Sequence, residues 1–266
     1  MQFREGFGLF AVLVLVFTIS ESTSAQRTTK PVLHGKHWIA ITGKPLAATA
    51  GAMTFARGGN AVDAACAMLA AVSTMWDSLA WGGETQALIY DPNNQWVKGI
   101  NALGVAPTGA SQEFFRDRNM NFPPEFGPLA AVTPGTPGGL MVMLAEFGTL
   151  SLREVLEPAI EMARGYPIEE SESSNIERDK KIIQRWPASR RIFLPNFNSD
   201  NPEAWSAPIP GEIFRQPELL ATLGKLVEAE SQALEVGKNR REAIFAAYDR
   251  FYRGDIARDL VQAVRA

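Results

Sequence analysis

Few residues in this chain could carry chemistry, and their types exclude the commonest metal and thiol sites. The sequence contains two histidines, His34 and His37, and one cysteine, Cys66. A single cysteine cannot form an intramolecular disulfide, and a four-cysteine zinc site is excluded too. Both histidines lie in one polar segment with no cysteine or third histidine nearby, so we interpret them as surface residues. We assign no metal ion and no cofactor to the chain.

Two glycine pairs are candidates for close contact between the backbone and another group. Gly58-Gly59 is placed to end a helix, because glycine adopts the left-handed cap conformation at little cost. Asn60 is then expected to cap the next helix, so that the two helices form a tight hairpin. Gly82-Gly83 precedes a predicted strand instead of following one, so it is not a dinucleotide-binding fingerprint. At Gly82 and Gly83 a ligand could approach backbone amides, or another segment could pack closely. The sequence leaves these two alternatives open.

Aromatic and acidic residues near these positions have simpler interpretations. We expect Trp76, Trp81 and Trp96 to cluster around the Gly82-Gly83 loop as core and pocket wall. The pair Glu169-Glu170 lies in a charged helical pattern, which is typical of a solvated helix face.

A mixed set of helices and strands must position these residues. Apolar runs and turn residues predict strands at 38–42, 85–90, 95–101 and 128–132, with a hairpin turn at 91–94. Periodicity and caps predict helices at 46–57, 61–74, 140–147, 152–164, 168–183, 218–230, 240–252 and 255–264. Ser151 and Glu154 are expected to form a capping box at the start of the 152–164 helix. We expect 133–139 to be a loop and 186–211 to be irregular. The 61–74 helix is apolar on every side, which predicts burial all round and places Ala65 and Met68 on packed faces.

Composition bounds the class of protein. The chain has 266 residues, of which 46% are hydrophobic and 21% charged, and its formal charge is −3. These values are typical of a soluble globular protein and do not favour a nucleic-acid partner. The sequence stops at Ala266 within a predicted helix that has no cap. We therefore expect a truncated reading frame or one subunit of something larger.

The N-terminus has the pattern of an export signal. Arg4 precedes an uncharged apolar run of 11 residues at 7–17, and Thr23 and Ala25 occupy the −3 and −1 places of a cleavage site. The run is shorter than the roughly 20 residues that span a bilayer. We predict a signal peptide at 1–25, a mature chain at 26–266, a periplasmic or secreted location and no membrane association after cleavage.

A series of short motifs follows in a fixed order along the rest of the chain. They are Pro45-Leu46-Ala47, Gly51, Gly58-Gly59-Asn60-Ala61-Val62-Asp63-Ala64-Ala65, Gly82-Gly83, Leu88-Ile89-Tyr90-Asp91, Ala106-Pro107, Gly127-Pro128-Leu129, Pro134-Gly135, Gly138-Gly139-Leu140, Ala163-Arg164-Gly165-Tyr166-Pro167 and Phe251-Tyr252-Arg253-Gly254-Asp255. In this order they resemble γ-glutamyltransferases, also called γ-glutamyltranspeptidases or glutathione hydrolases. The likeness covers about residues 39–266 and is weaker at 171–211.

This resemblance implies an α+β fold, the four-layer αββα sandwich of N-terminal-nucleophile hydrolases, with only the N-terminal portion present in this helix-rich chain. In the family, a proenzyme cleaves itself into a large and a small subunit. The new N-terminal threonine of the small subunit attacks the γ-glutamyl carbonyl, and its own amine serves as base. The nucleophile is then expected downstream of Ala266, so the chain itself holds no catalytic residue. The implied partners are a γ-glutamyl small molecule and the missing C-terminal part or small subunit.

The chain departs from the family pattern at its substrate-binding positions. Where the family has an arginine that holds the α-carboxylate of the donor, this sequence has Leu103, which offers no charged, forked donor. The loop around Gly82 and Gly83 contains fewer glycines than the family pattern. We assign Gly82, Gly83 and the altered position Leu103 to substrate binding, with a donor that need not be glutathione.

Two functions of different classes remain open. One is a secreted γ-glutamyltransferase-like amidohydrolase or transferase. The other is a truncated or degenerate relative that binds or assembles without turnover. The reading frame beyond Ala266 discriminates between them, because only the enzyme requires a downstream threonine.

Overall fold

A computed structural model of the chain describes residues 32–75, 79–197 and 205–265. Contacts divide the chain into two units, Met1–His37 and Trp38–Ala266. Of the first unit, residues 32–37 are described, and they are irregular and exposed. His34 and His37 are thus surface residues, as predicted. The predicted signal peptide at 1–25 lies outside the described residues.

The described part of the second unit is rich in helices, with short antiparallel strands between them. Helices α1 to α10 are Pro45–Ala56, Ala61–Met75, Gln112–Arg116, Thr136–Phe147, Leu152–Arg164, Glu170–Ile183, Pro187–Phe193, Pro217–Glu235, Arg240–Arg253 and Asp255–Arg265. Strands β1 to β6 are Thr85–Asp91, Trp96–Ala102, Tyr166–Pro167, Asn196–Phe197, Trp205–Ser206 and Ile213–Phe214. They pair as β1–β2, β3–β6 and β4–β5. In the described ranges, no helix is both long and apolar enough to cross a membrane.

The first two helices form the predicted helical hairpin. Gly58 has a φ of +91°, so the turn after α1 requires a residue without a Cβ. Asn60 then caps α2, and its side-chain oxygen accepts hydrogen bonds from the amides of Val62 at 2.8 Å and Asp63 at 3.0 Å. Both features are local, which is why the sequence pattern identified them.

The β1–β2 hairpin also has the predicted position. Its strands pair antiparallel from Thr85 opposite Ala102 to Asp91 opposite Trp96. The Asp91 carboxylate accepts hydrogen bonds from Asn94 and Asn93 in the turn, and these bonds lower the pKa of that carboxyl. A tight polar turn therefore fixes the register of both strands.

The main core lies where α2, α4, α5, α8 and α9 meet. Buried residues of α5 recur at helical spacing, as at Leu152, Val155 and Leu156, so one face of this helix packs inward. Ser151 and Glu154 form the predicted capping box at its start. The buried carboxylate of Glu230, on α8, accepts hydrogen bonds from two further amides of that first turn. A side chain distant in sequence thus completes the cap of α5.

Several segments differ from the sequence-based predictions. Residues 38–42 and 128–132 are not strands; the second contains a 3-10 helix at Pro128–Ala130. Neither segment has a neighbouring strand in the described chain to supply ladder hydrogen bonds. The predicted loop at 133–139 already contains the first turn of α4, with Pro137 near its N-terminus. The region 186–211 contains a helix, Pro187–Phe193.

Burial of α2 is less complete than its composition predicts. Its C-terminal half is buried throughout, from Ala70 to Met75. In the N-terminal half, however, Ala65 is exposed and Met68 is half-buried, so the prediction that Ala65 is packed was wrong. Alanine is compatible with either environment, and the apolar pattern could not distinguish the two faces.

The expectation of a solvated face at Glu169-Glu170 was wrong for Glu169. Its carboxylate lies 2.8 Å from the ammonium of Lys44, which precedes α1. The carboxylate of Glu172, which is buried, lies 3.6 Å from the same ammonium. The first turn of α6 is therefore joined to the start of α1 by a buried cluster of charges.

Candidate functional site

The Gly82-Gly83 loop is attached to the N-terminus of α4. The carbonyl oxygen of Gly83 accepts hydrogen bonds from the amide of Gly135 at 2.8 Å and from that of Thr136 at 3.0 Å. The hydroxyl of Thr85, at the start of β1, donates to the hydroxyl of Thr136 at 3.0 Å. Since the first amides of a helix lack partners within the helix, the glycine loop satisfies them here.

The two glycines of the loop have different surroundings. A Cβ added to Gly83 would lie 3.1 Å from the carbonyl oxygen of Ala80, so close packing accounts for glycine at this position. A Cβ added to Gly82 would meet no atom within 4 Å. Gly82 is exposed, and packing within the described chain therefore gives no reason for a glycine there. A role for Gly82 in ligand contact stays a prediction.

Leu103 lies at the end of β2, close to the same helix terminus. Its side chain is 44% exposed, and its amide donates to the side-chain oxygen of Asn101. Past Leu103, the carbonyl oxygen of Val105 accepts a hydrogen bond from the amide of Thr133 at 3.0 Å. The segment that contains Leu103 and the Gly82-Gly83 loop therefore both lie at the N-terminal end of α4. The glycine loop is attached there through Gly135.

Close backbone contacts hold these segments together. A Cβ on Gly135 would collide with the carbonyl oxygen of Ala102, and a Cβ on Gly104 would collide with that of Thr133. Both obstacles are backbone atoms, which cannot rotate away as a side chain can. Glycine is therefore required at both positions for the end of β2 to reach α4.

We expect Gly135→Ala to destabilise the chain by about 1–3 kcal/mol, because the added methyl must displace the end of β2. Thermal unfolding of the purified chain measures this. Gly82→Ala is the matched control and is expected to leave the unfolding midpoint nearly unchanged, since its methyl would enter open space. Equal midpoints for the two variants would contradict the contact at Gly135.

A cavity of about 320 Å³ opens beside these segments. Its apolar and aromatic lining includes Ile100, Leu103, Val105, Val142, Tyr248 and Tyr252. Among the described residues that line it, none has a charged side chain. The cavity is thus an uncharged space next to the helix terminus, lined mostly by apolar residues and also by the polar residues Asn101 and Thr133.

Tyr252, on α9, fixes one wall of this cavity. Its hydroxyl donates to the carbonyl oxygen of Pro134 at 2.6 Å and accepts from the amide of Gly138 at 2.9 Å. Its ring lies 4.6 Å, centre to centre, from that of Tyr248. Burial raises the pKa of Tyr252 to about 12. The phenol is therefore uncharged at neutral pH and completes the capping of α4 across 114 residues of sequence.

Replacing this phenol should change how stability depends on pH. A tyrosine ionises near pH 10 when unfolded, and Tyr252 ionises at about 12 when folded. Its contribution is therefore complete below pH 10 and is lost as the pH rises towards 12. We expect Tyr252→Phe to lower the free energy of unfolding at pH 7 by about 1–2 kcal/mol, because two hydrogen bonds are lost. Between pH 10 and 12 the stability of the variant should fall less steeply than that of the parent.

Denaturant titrations at pH 7, 10 and 11.5 test this expectation. Tyr90→Phe is the control for loss of a phenol, because the side chain of Tyr90 is 61% exposed. If Tyr252→Phe loses as much stability as the parent between pH 10 and 11.5, the Tyr252 hydroxyl is not the group whose ionisation destabilises the folded chain.

The predicted tryptophan cluster is confirmed in part. The indole of Trp81 donates to the hydroxyl of Thr74 at 3.0 Å and packs against the main core beside the glycine loop. Trp96 lies at the opposite end of the hairpin, where its ring meets that of Phe147 edge-on, so its assignment to the loop was wrong. Trp76 lies outside the described residues.

The remaining candidate residues take no part in this site. Cys66 is fully buried, and its thiol contacts the carbonyl oxygen of Leu140. Burial raises the pKa of this thiol, which keeps it protonated and unreactive. Over the described ranges, histidine, cysteine and carboxylate side chains form no group of three or more that could hold a metal ion.

Sequence reasoning missed the roles of Tyr252 and Gly135 at this site. Both belong to the ordered series of motifs along the chain, at 251–255 and 134–135. Order alone gave no signal that these motifs meet in space. Only the fold shows that they surround one cavity.

Comparisons with known proteins agree on one family. A family model described as gamma-glutamyltranspeptidase matches residues 47–266. The glutathione hydrolase proenzyme of Bacillus subtilis (strain 168) is 28% identical over 243 residues, which cover 89% of this chain and 37% of that protein. The acylase ACY 1 proenzyme of Pseudomonas sp. (strain SE83) is 32% identical over 223 residues, which cover 77% of this chain and 37% of that protein.

Solved structures show the same likeness. The crystal structure of Helicobacter pylori gamma-glutamyltranspeptidase superposes with a TM-score of 0.70 at 27% identity, covering 86% of this chain and 60% of that one. The present chain spans little more than a third, 37%, of the length of the curated relatives described above.

Proposed function

The chain belongs to the γ-glutamyltranspeptidase family, and from that premise we propose that it is the N-terminal part of an enzyme that transfers or hydrolyses an acyl group held in an amide. Its α+β, helix-rich architecture is part of the N-terminal-nucleophile hydrolase fold. At the level of the family, the reaction is transfer or hydrolysis of a γ-glutamyl group. The family match over 47–266 is the observation that carries the proposal.

In this proposal, the chain contributes the donor-binding side of the active site, and a downstream segment contributes the nucleophile. Relatives whose names call them proenzymes extend well beyond the matched region, which supports a missing C-terminal part. An N-terminal threonine there would attack the acyl carbonyl, with its own amine as base. The acyl group would then pass to water or to an amine.

The name of one relative supports a broader choice of donor. The relative that is 32% identical is called an acylase, and the family resemblance implies that Leu103 occupies the position of the carboxylate-binding arginine. We therefore propose an amide donor of the γ-glutamyl type or a related one, and not glutathione specifically. Export to the periplasm or medium, after cleavage behind Ala25, is a further part of the proposal.

The test begins with the reading frame beyond the codon for Ala266. The proposal expects that frame to continue to a threonine that follows a processing site. Protein produced from the extended frame should cleave itself into two chains and then release aniline from acyl anilides. The same protein with that threonine replaced by alanine should do neither.

The 266-residue chain alone provides the matched negative control. It is expected to release no aniline, because in this proposal the nucleophile lies elsewhere. An immediate stop codon, or an extended protein that neither cleaves itself nor turns over an anilide, would favour the non-catalytic alternative. Titratable turnover by the short chain alone would overturn the proposed division of roles.

A further inference from the structure

We infer that the cavity beside Leu103 binds an uncharged, mainly apolar acyl group. Of the two donor types proposed above, the donor is then the related one, an aliphatic or aryl acyl amide, and not the γ-glutamyl type. The inference rests on the proposed function and specifies the substrate class of the same site. It is carried by the cavity itself: its volume, its neutral lining and its position at the terminus of α4.

The volume and lining fit a small hydrocarbon group. At about 320 Å³, the cavity lies at the lower end of the range of about 300–1,000 Å³ that small ligands occupy. Aliphatic side chains of Leu103, Val105 and Val142 line it together with the rings of Tyr248 and Tyr252. Burying a hydrocarbon chain against such a surface is favourable in proportion to the apolar area removed from water.

An amino acid head group would find no charged partner in this part of the molecule. A γ-glutamyl group carries an α-carboxylate and an α-ammonium, and each loses hydration when it enters a cavity. Within the described lining, no lysine, arginine, aspartate or glutamate is present to compensate. The phenol of Tyr252 is uncharged at neutral pH, and its hydroxyl is already bonded to Pro134 and Gly138.

The backbone amides of the α4 terminus are also occupied. The amides of Gly135 and Thr136 donate to the carbonyl of Gly83, and that of Gly138 donates to Tyr252. A helix terminus with free amides would attract a carboxylate, but these three already have partners. The site therefore discriminates against an anionic head group and leaves an apolar surface for the acyl chain.

Leu103 is the specificity-determining residue in this arrangement. It lines the cavity at the end of β2 and is 44% exposed. An arginine at this position could therefore extend into the cavity without being buried in the core. Leu103→Arg should introduce the cation that an α-carboxylate requires.

Two matched probes test the inference on the full 266-residue chain. γ-L-Glutamyl anilide and butanoyl anilide share the anilide and a four-carbon acyl chain, and only the first carries the α-ammonium and α-carboxylate. Ligand-detected NMR titrations give the dissociation constant of each. We expect butanoyl anilide to bind at least 10-fold more tightly, and Leu103→Arg to reduce that preference about 10-fold.

Val97→Arg is the matched control, because it adds the same charge to the same strand at a residue that is 59% exposed and lies outside the cavity lining. It should leave the preference unchanged. The inference is overturned if γ-glutamyl anilide binds as tightly as butanoyl anilide, if neither probe binds, or if both arginine variants act alike. The comparison of the two probes on the parent chain needs no variant to fold.

Failure of the proposed function would appear in a different measurement. The titrations measure affinity and require no turnover. Self-cleavage and aniline release by the extended protein measure turnover and require no comparison of affinities. An extended protein that turns over γ-glutamyl anilide in preference to butanoyl anilide would keep the function and reject the inference.

Discussion

Asp63→Ala is expected to lower the free energy of unfolding by about 3–5 kcal/mol. Asp63, in the first turn of α2, is fully buried. Its carboxylate accepts hydrogen bonds from the amides of Asn60 at 2.8 Å, Thr149 at 2.9 Å and Leu150 at 3.1 Å, and from the hydroxyl of Thr149 at 2.7 Å. Alanine would remove the acceptor that all of these donors share, and it would leave a gap where the buried carboxylate was.

The loss should spread beyond α2, because the same carboxylate fixes the connection between α4 and α5. Arg240 holds that connection from the other side, where its guanidinium donates to the carbonyls of Leu144, Gly148 and Leu150. Since the other end of α4 carries the candidate site, a loosened connection should also weaken probe binding there.

Denaturant titration monitored by circular dichroism measures the effect. Asp63→Asn keeps one acceptor oxygen and should lose clearly less stability than Asp63→Ala. Asp259→Ala serves as the control, because the side chain of Asp259 is 67% exposed and pairs with Lys225 at the surface. If Asp63→Ala has the same unfolding midpoint as Asp259→Ala, the Asp63 carboxylate does not stabilise the fold through these hydrogen bonds.

The sequence predicted the features that depend on neighbouring residues. The turn at Gly58, the cap at Asn60, the capping box of Ser151 and Glu154, and the hairpin turn at Asp91 are each complete within about four residues. Such features can be read locally because side chain and backbone partner are fixed by spacing. The helices between 217 and 265 were also predicted, with ends that differ by a few residues.

Glycines at 138 and 139 show why a local interpretation failed. The sequence predicts a loop at both positions, yet both lie in the first turn of α4. A Cβ on Gly138 would collide with the hydroxyl of Tyr252, and one on Gly139 with the Cβ of Ala102. These glycines allow other elements to pack closely against α4. Composition alone cannot distinguish a glycine required for such packing from one that belongs to a loop.

The members of the candidate site stay a prediction, and its geometry was not predictable from the sequence. The family resemblance assigns Gly82, Gly83 and Leu103 to substrate binding, and the structure places their segments at the N-terminal end of α4. The cavity, its neutral lining and the hydroxyl of Tyr252 depend on contacts between residues more than a hundred positions apart. A single sequence contains no signal for which distant residues will meet.

Lys44→Met should destabilise the chain by about 3–5 kcal/mol, which is typical when one partner of a buried ion pair is removed. The Lys44 side chain is 6% exposed, and its ammonium lies 2.8 Å from Glu169 and 3.6 Å from Glu172. Glu172 is itself 2% exposed. Methionine would fill a similar volume but remove the ammonium that lies between the two carboxylates.

The expected loss arises from those carboxylates, and this can be tested directly. Neutralising both, as Glu169→Gln with Glu172→Gln, should restore part of the stability that Lys44→Met removes, because the repulsion is then gone. Lys180→Met is the control, since the side chains of Lys180 and its partner Glu177 on α6 are 31% and 44% exposed, and ion pairs near the surface contribute little. Thermal unfolding of the parent, the single variants and the triple variant gives the comparison. A triple variant no more stable than Lys44→Met would mean that lost packing of the lysine stem, and not unbalanced charge, causes the effect.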